Sequence, residues 1–234
     1  PAVVNEWHDD WDELAPAEVP GLCWRDGGEV RLNPVGPPPR DLDALPLPAW
    51  DEFDMAAYSF PRRVAGVPGL PRVLGLLTSR GCPYKCKFCY RMTPGVRLRS
   101  IAGCVAELTE AVRRYGVQHF GFHDDLFMVN KKRTLEFCEA IRAANLGITW
   151  LCNGRFNIAD REQLRAMRQA GCIQVSYGLE SGDQAILDEM DKRITVAQIR
   201  EVSAMTREEG MLVAVPAMFG LPGVQLYGLF DAFA

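Results

Sequence analysis

From residue 72 onward the chain alternates short, continuous apolar runs with longer stretches whose apolar residues recur every three or four positions. The runs 73–78, 117–123, 148–152, 172–177 and 211–217 are rich in Val, Leu, Ile, Phe and Cys. Their length and two-sided hydrophobicity suit buried parallel strands. Between them, Ser100 is placed to cap a helix carrying Ile101, Cys104, Val105, Leu108, Val112 and Tyr115 on one face, with Gly116 as its stop. Asn130 caps a second helix through Leu135, Cys138 and Ile141. Asp160-Arg161-Glu162-Gln163 opens a third with a capping-box-like pattern, a stripe of Leu164 and Met167, and an end at Gly171. A short helix follows near 184–190. Thr195 and Gln198 then spell a capping box, with Ile194 and Ile199 as its hydrophobic staple, for a helix that runs to Gly210. Five successive βα steps predict an α/β fold with a parallel sheet curling toward a barrel.

The first 71 residues read differently. Twelve of the sixteen prolines precede residue 73. Residues 21–25 and 29–33 flank Asp26-Gly27-Gly28, the signature of a β-hairpin. The proline stretches at 34–39 and 45–48 exclude helix and interior strand, so this part is expected to run extended, anchored by Leu42, Leu45, Trp50, Phe53 and Met55. The division expected is a proline-rich extension over 1–71, a core over 72–223 and an atypical tail over 224–234. With no sixth strand pattern after 217, the barrel is expected to stop at its fifth strand with an open edge. A start at Pro1 and an abrupt end read as a fragment.

Charge narrows the function classes. A net charge of -4 over 234 residues gives no footprint for nucleic acid. No apolar run approaches the roughly 20 residues that span a bilayer. No secretory signal opens the chain, so the eight cysteines are expected to be reduced thiols in the cytoplasm. Cys104, Cys138, Cys152 and Cys172 lie among apolar residues and read as small core hydrophobes.

Cys82, Cys86 and Cys89 are different. They fall within eight residues at C-x3-C-x2-C spacing, which turns three sulfurs toward one small inorganic body. A structural zinc site wants four protein ligands, as does an iron-sulfur cluster that only carries electrons. Three thiolates leave a coordination position open for a substrate or cofactor. Ligands gather beyond the carboxyl ends of strands in parallel α/β folds, and there the sequence puts one polar group per strand. The cysteine loop follows the first, His123-Asp124-Asp125 the second, Asn153 and Arg155 the third, Gly178-Leu179-Glu180-Ser181 the fourth and Gly220-Leu221-Pro222-Gly223 the fifth. His119 and His123 read as satisfied structural histidines. The Gly27-Gly28-Glu29 triplet precedes the cysteines and is turn chemistry. A structural metal or electron-transfer module, with Cys104 as fourth ligand, stays open beside the enzyme reading.

The C-x3-C-x-aromatic-C pattern of Cys82, Cys86, Phe88 and Cys89 resembles the hallmark of the radical S-adenosylmethionine (SAM) superfamily. The wording around it resembles the cobalamin-dependent branch, as do residues 41–51, 124–127 and 178–182. The resemblance covers roughly 72–223 and implies a partial parallel (β/α) barrel truncated after its fifth strand. It implies that Cys82, Cys86 and Cys89 hold three irons of a 4Fe-4S cluster and that the fourth iron takes SAM. Reductive cleavage would then give a 5'-deoxyadenosyl radical, for methyl transfer to an unactivated carbon or radical cyclisation. The small-molecule substrate is unassigned, the reductant would be a flavodoxin or ferredoxin, and cobalamin would bind on a domain this chain lacks. Asp124 or Asp125 would accept from the SAM ammonium group, Glu180 from the ribose hydroxyls, and Arg155 would pair with the SAM carboxylate or with Glu180. Phe88 would shield the cluster. No side chain is assigned a catalytic step, since the cofactor carries the chemistry. A methylthiotransferase-like enzyme of the same superfamily is the alternative. Val224 stands where relatives carry the glutamate of Gly-Leu-Pro-Gly-Glu, a departure that puts activity of the chain in question.

Overall fold

A computed structural model describes residues 15–90 and 95–218. The chain divides into two compact units at Pro48 and Ala49.

In the first unit, β1 (Cys23–Asp26) and β2 (Glu29–Leu32) form the expected antiparallel hairpin, with Asp26 opposite Glu29. Gly27 and Gly28 both have positive φ, 55° and 94°, which a two-residue turn of this hand demands. The Gly-Gly-Glu triplet is therefore a hairpin tip. Asn33 ties the hairpin base together: its side chain accepts from Trp24 Nε1 at 3.1 Å and donates to the carbonyls of Pro16 and Val19.

The second unit is built on a five-stranded, wholly parallel sheet in the order β3 (Val73–Leu76), β6 (His119–Phe122), β7 (Thr149–Gly154), β8 (Cys172–Tyr177), β9 (Leu212–Ala214). All five strands expected from the apolar runs form. β4 (Ser79–Arg80) and β5 (Arg97–Leu98) make a separate two-residue antiparallel ladder. The helices are α1 (Met55–Tyr58), α2 (Ile101–Tyr115), α3 (Lys131–Ala144), α4 (Arg161–Gln169), α5 (Gln184–Glu189) and α6 (Val196–Glu208).

Local signals set the helix boundaries. Ser100 and Asn130 accept from the N–H three residues on, as a cap must to satisfy otherwise orphaned donors. Gly116, in left-handed conformation, stops α2. Thr195 and Gln198 make both halves of a capping box. At α4 only half forms: Asp160 accepts from the Gln163 N–H, while both amide atoms of the buried Gln163 side chain are without partners among the described residues.

The sheet's alternation sorts its two faces. Leu74, Leu76, Phe120, Phe122, Trp150, Cys152, Val175 and Tyr177 belong to the hydrophobic core with residues of the helices. Phe122, Phe127, Phe137 and Trp150 form its aromatic centre, with ring centroids 5.1–5.6 Å apart. Each such fully buried ring contributes about 2–3 kcal/mol by transfer. Cys104, Cys138, Cys152 and Cys172 are buried in that core, as their apolar surroundings predicted. Burial pushes the Cys104 thiol up to about 11 and the Cys138 thiol up to about 12. Cys104 sits in the core and does not line the cavity that the loop cysteines line. The opposite face carries Gly75, His119, Gly121, Leu151, Asn153, Gln174 and Ser176 by the same alternation and register.

Candidate active site

The cysteine loop leaves the sheet at the carboxyl end of β3 and is clamped at its base by the β4–β5 ladder. Two carboxylates from the end of β6 then fix its course. Asp124 is fully buried and accepts four hydrogen bonds, from the backbone N–H and the hydroxyl of both Thr78 and Ser79. Burial outweighs those donors and holds the Asp124 carboxyl above the usual range. Asp125 Oδ2 accepts from Gly81 N–H at 3.0 Å. Gly81 has φ of 89°, and a Cβ there would lie 2.1 Å from the Gly95 carbonyl oxygen, so only glycine allows the two ends of the loop to approach. Further along, Lys87 N–H donates to the Met190 carbonyl and Cys89 N–H to that of Cys86.

The loop opens on a cavity of about 260 Å³ at the carboxyl ends of the strands, where the sequence put one polar group each. Cys82, Cys86, Cys89 and Phe88 line it from the loop, Asp125 from β6, Asn153 and Arg155 from β7, and Ser176 and Glu180 from β8. Asp124 is absent from that lining. The fifth-strand stretch 220–223 and the tail 224–234 lie outside the described residues, as does any sixth strand.

Arg155 is the most informative side chain here. It is buried, with Nε donating to Asn157 Oδ1 at 2.9 Å and Nη1 to the Cys86 sulfur at 3.6 Å. Its guanidinium carbon lies 3.9 Å from the centroid of the Tyr84 ring. Nη2 is buried without a partner among the described residues, a costly state for a charged donor unless an anionic group completes it. Cys82 is pushed up by burial, against the pull of the Tyr84 N–H and Arg155.

Glu180 pairs not with Arg155 but with Lys192, whose Nζ is 2.7 Å from Oε1 in a nearly buried ion pair. The same Nζ sits 5.3 Å from the Phe88 ring centroid. Lys192 lies twelve residues away, between α5 and α6, and no local motif in the sequence marks it. Glu180 itself takes φ of 63°, uncommon for a residue with a side chain. It is held there by Glu180 N–H to Pro216 O and Met218 N–H to Glu180 O. A Cβ on Gly178 would meet the Glu180 oxygen at 2.6 Å and Lys192 Nζ at 2.7 Å, which explains glycine beside the pair.

Among the described residues no three Cys, His, Asp or Glu side chains converge as a mononuclear ion requires. That includes the three loop cysteines, which nevertheless line one cavity, with a buried guanidinium N–H, unpartnered among the described residues, on the side chain that donates to the middle one.

The profile of the radical SAM superfamily matches residues 76–226. An uncharacterised methyltransferase of Pyrococcus horikoshii is 32% identical over 86% of this chain and 43% of its own length. The anaerobic magnesium-protoporphyrin IX monomethyl ester cyclase of Cereibacter sphaeroides is 30% identical over 87% of this chain and 33% of its own length. The chain thus spans under half of each of these relatives. Among solved structures, the cobalamin-dependent SAM radical enzyme OxsB with aqua-cobalamin bound aligns at a TM-score of 0.75 with 21% identity, covering 94% of this chain and 33% of that one. The radical SAM methyltransferase TsrM of Kitasatospora setae aligns at 0.68 with 22% identity, covering 95% of this chain and 45% of that one. These likenesses make the five-stranded sheet a partial radical SAM barrel. By its motif, its sheet and a family match over well more than half its length, the chain belongs to the radical SAM superfamily.

Proposed function

We propose that Cys82, Cys86 and Cys89 hold a 4Fe-4S cluster, that SAM occupies the cavity beside it, and that the enzyme transfers a methyl group to an unactivated carbon. The observation that carries this reading is the buried, unpartnered Arg155 Nη2 in the wall of a cavity into which the three-thiol loop opens. When bound and reduced, the cluster supplies one electron to the SAM sulfonium. The protein's part is to bind and orient. Arg155 Nη1 donates to the Cys86 sulfur and Nη2 is free to complete a hydrogen bond to the SAM carboxylate or the cluster. Asp125, which lines the cavity, accepts from the ammonium group; Asp124 is spent on Thr78 and Ser79 and acts as a positioning residue. Glu180, aimed by its ion pair with Lys192, receives the ribose hydroxyls, and Phe88 shields the loop from water.

Radical cyclisation is the second reading, favoured by the cyclase name of one relative. Cobalamin, named for the OxsB structure, enters as a further cofactor with no residue of this chain assigned to it. The electron donor is a flavodoxin or ferredoxin, and the setting is the reducing cytoplasm. No helix among the described residues is long and apolar enough to cross a membrane.

Anaerobic reconstitution with iron and sulfide tests the ligand set. The expected product holds about four irons per chain, with matching acid-labile sulfide. A chain that takes up zinc in place of iron contradicts the proposal.

A further inference from the structure

The inner face of the sheet holds a second cavity, of about 380 Å³, toward the amino ends of the strands. It shares no lining residue with the cysteine cavity. Arg62 and Arg63 line it from the segment before β3, His119 and His123 from β6 and its end, and Leu151 and Gln174 from β7 and β8. Among the described residues no Asp or Glu lines it, while two arginines do.

His119 is the anchor. It is 1% exposed, its Nδ1 lies 2.9 Å from Thr149 Oγ1, and its Nε2 is buried with no partner among the described residues. The expectation of a satisfied structural histidine therefore holds for only half of its ring. The Thr149 hydroxyl lies closer to Nδ1, at 2.9 Å, than to the Gln118 carbonyl, at 3.5 Å. The hydroxyl can turn its proton to either acceptor; with an anion at Nε2 it turns to Nδ1, the nearer, which makes Nε2–H the donor. Burial and the charge of Arg62 lower the His119 pKa to about 4, so the ring is neutral at pH 7 and keeps that single proton. The His123 ring lies back over the paired glycines Gly75 and Gly121; a Cβ on either would meet it at 2.8–2.9 Å. Those two glycines keep the floor of the cavity thin enough for an imidazole to lie within it.

We infer that this cavity is an anion site, taking the phosphate or carboxylate group of a small molecule on Arg62, Arg63 and the Nε2–H of His119. Two arginines and a neutral N–H donor, with no acid among the described lining residues, suit an oxyanion. Asn153 and Ser176, which line the cysteine cavity, stand two residues beyond Leu151 and Gln174 on the same face. That is roughly 7 Å along the strands. An anion held here thus directs the rest of its molecule toward the cysteine loop. That the molecule is the enzyme's substrate rests on the function proposed above; the binding of the anion does not.

The test is titration of the 234-residue chain, with its histidines labelled with nitrogen-15, by inorganic phosphate and separately by acetate. The His119 Nε2 resonance is expected to shift saturably with at least one of them. Arg62→Gln and Arg63→Gln are each expected to weaken that binding about tenfold, while Arg207→Gln on α6 leaves it unchanged. A response to phosphate alone assigns a phosphate-bearing molecule, and a response to acetate alone a carboxylate. No shift with either anion, or equal affinity in both arginine variants and the original chain, overturns the site. The titration needs neither iron nor SAM, so failure of the anion site and failure of the cluster are read separately.

Discussion

Cys86→Ala is expected to bring the iron content of the reconstituted chain from about four per chain to near zero, while Cys138→Ala leaves it unchanged. The two residues share chemistry and differ in place. Cys86 lines the cavity and its sulfur receives Arg155 Nη1 at 3.6 Å. Cys138 is buried in α3 within the core, and burial pushes its thiol up to about 12, so at neutral pH it is a small apolar side chain. Its truncation costs about 1 kcal/mol through the small cavity left behind. Iron and sulfide assays with visible absorption check this. Equal iron loss in the two variants would mean that the ligands lie elsewhere.

The second large effect belongs to a residue that touches no cofactor. Asp124→Ala leaves two backbone N–H groups and two hydroxyls at Thr78 and Ser79 without their acceptor. The expected loss is about 3 kcal/mol of stability, or roughly 9 °C in the melting temperature of the metal-free chain. Asp125→Ala removes one acceptor, that of Gly81 N–H, and is expected to cost about 1 kcal/mol. Calorimetry or thermal melts followed by circular dichroism decide it: similar small losses in both variants would remove Asp124 from its role beneath the loop. The sign of its titration agrees with a residue kept for shape. Because the folded carboxyl lies above its ordinary pKa, the stability it contributes is full below the unfolded value and falls as pH rises through the folded one.

The strands, the helix starts and the three thiols were legible because each is written locally. Apolar runs mark buried strands, and Ser100, Asn130 and Thr195 cap the helices that follow them. The Asp-Gly-Gly turn was legible for the same reason. Spacing also put polar residues from the first four strand ends of the sheet at one cavity, since parallel strands send their carboxyl ends to one side. What stayed hidden depends on distant contacts. Asp124 and Asp125 are neighbours in sequence, yet adjacent strand-end residues face opposite ways, so one is buried under the loop and the other lines the cavity. Lys192 reaches Glu180 only because the turn after α5 folds back to the loop, where Met190 accepts from Lys87. The pattern at Asp160 to Gln163 matched a capping box as well as the one at Thr195, but burial withdrew the Gln163 amide from the backbone it would have met. His119 looked like an ordinary core histidine because nothing in sequence reveals which ring nitrogen lacks a partner.

The most direct test of the central claim is electron paramagnetic resonance of the anaerobically reconstituted, reduced chain with and without SAM. A 4Fe-4S cluster held by three thiolates, with one iron open to the cofactor, predicts a low-temperature signal whose g values shift when SAM is added. A cluster signal indifferent to SAM would contradict the open coordination position on which the account rests.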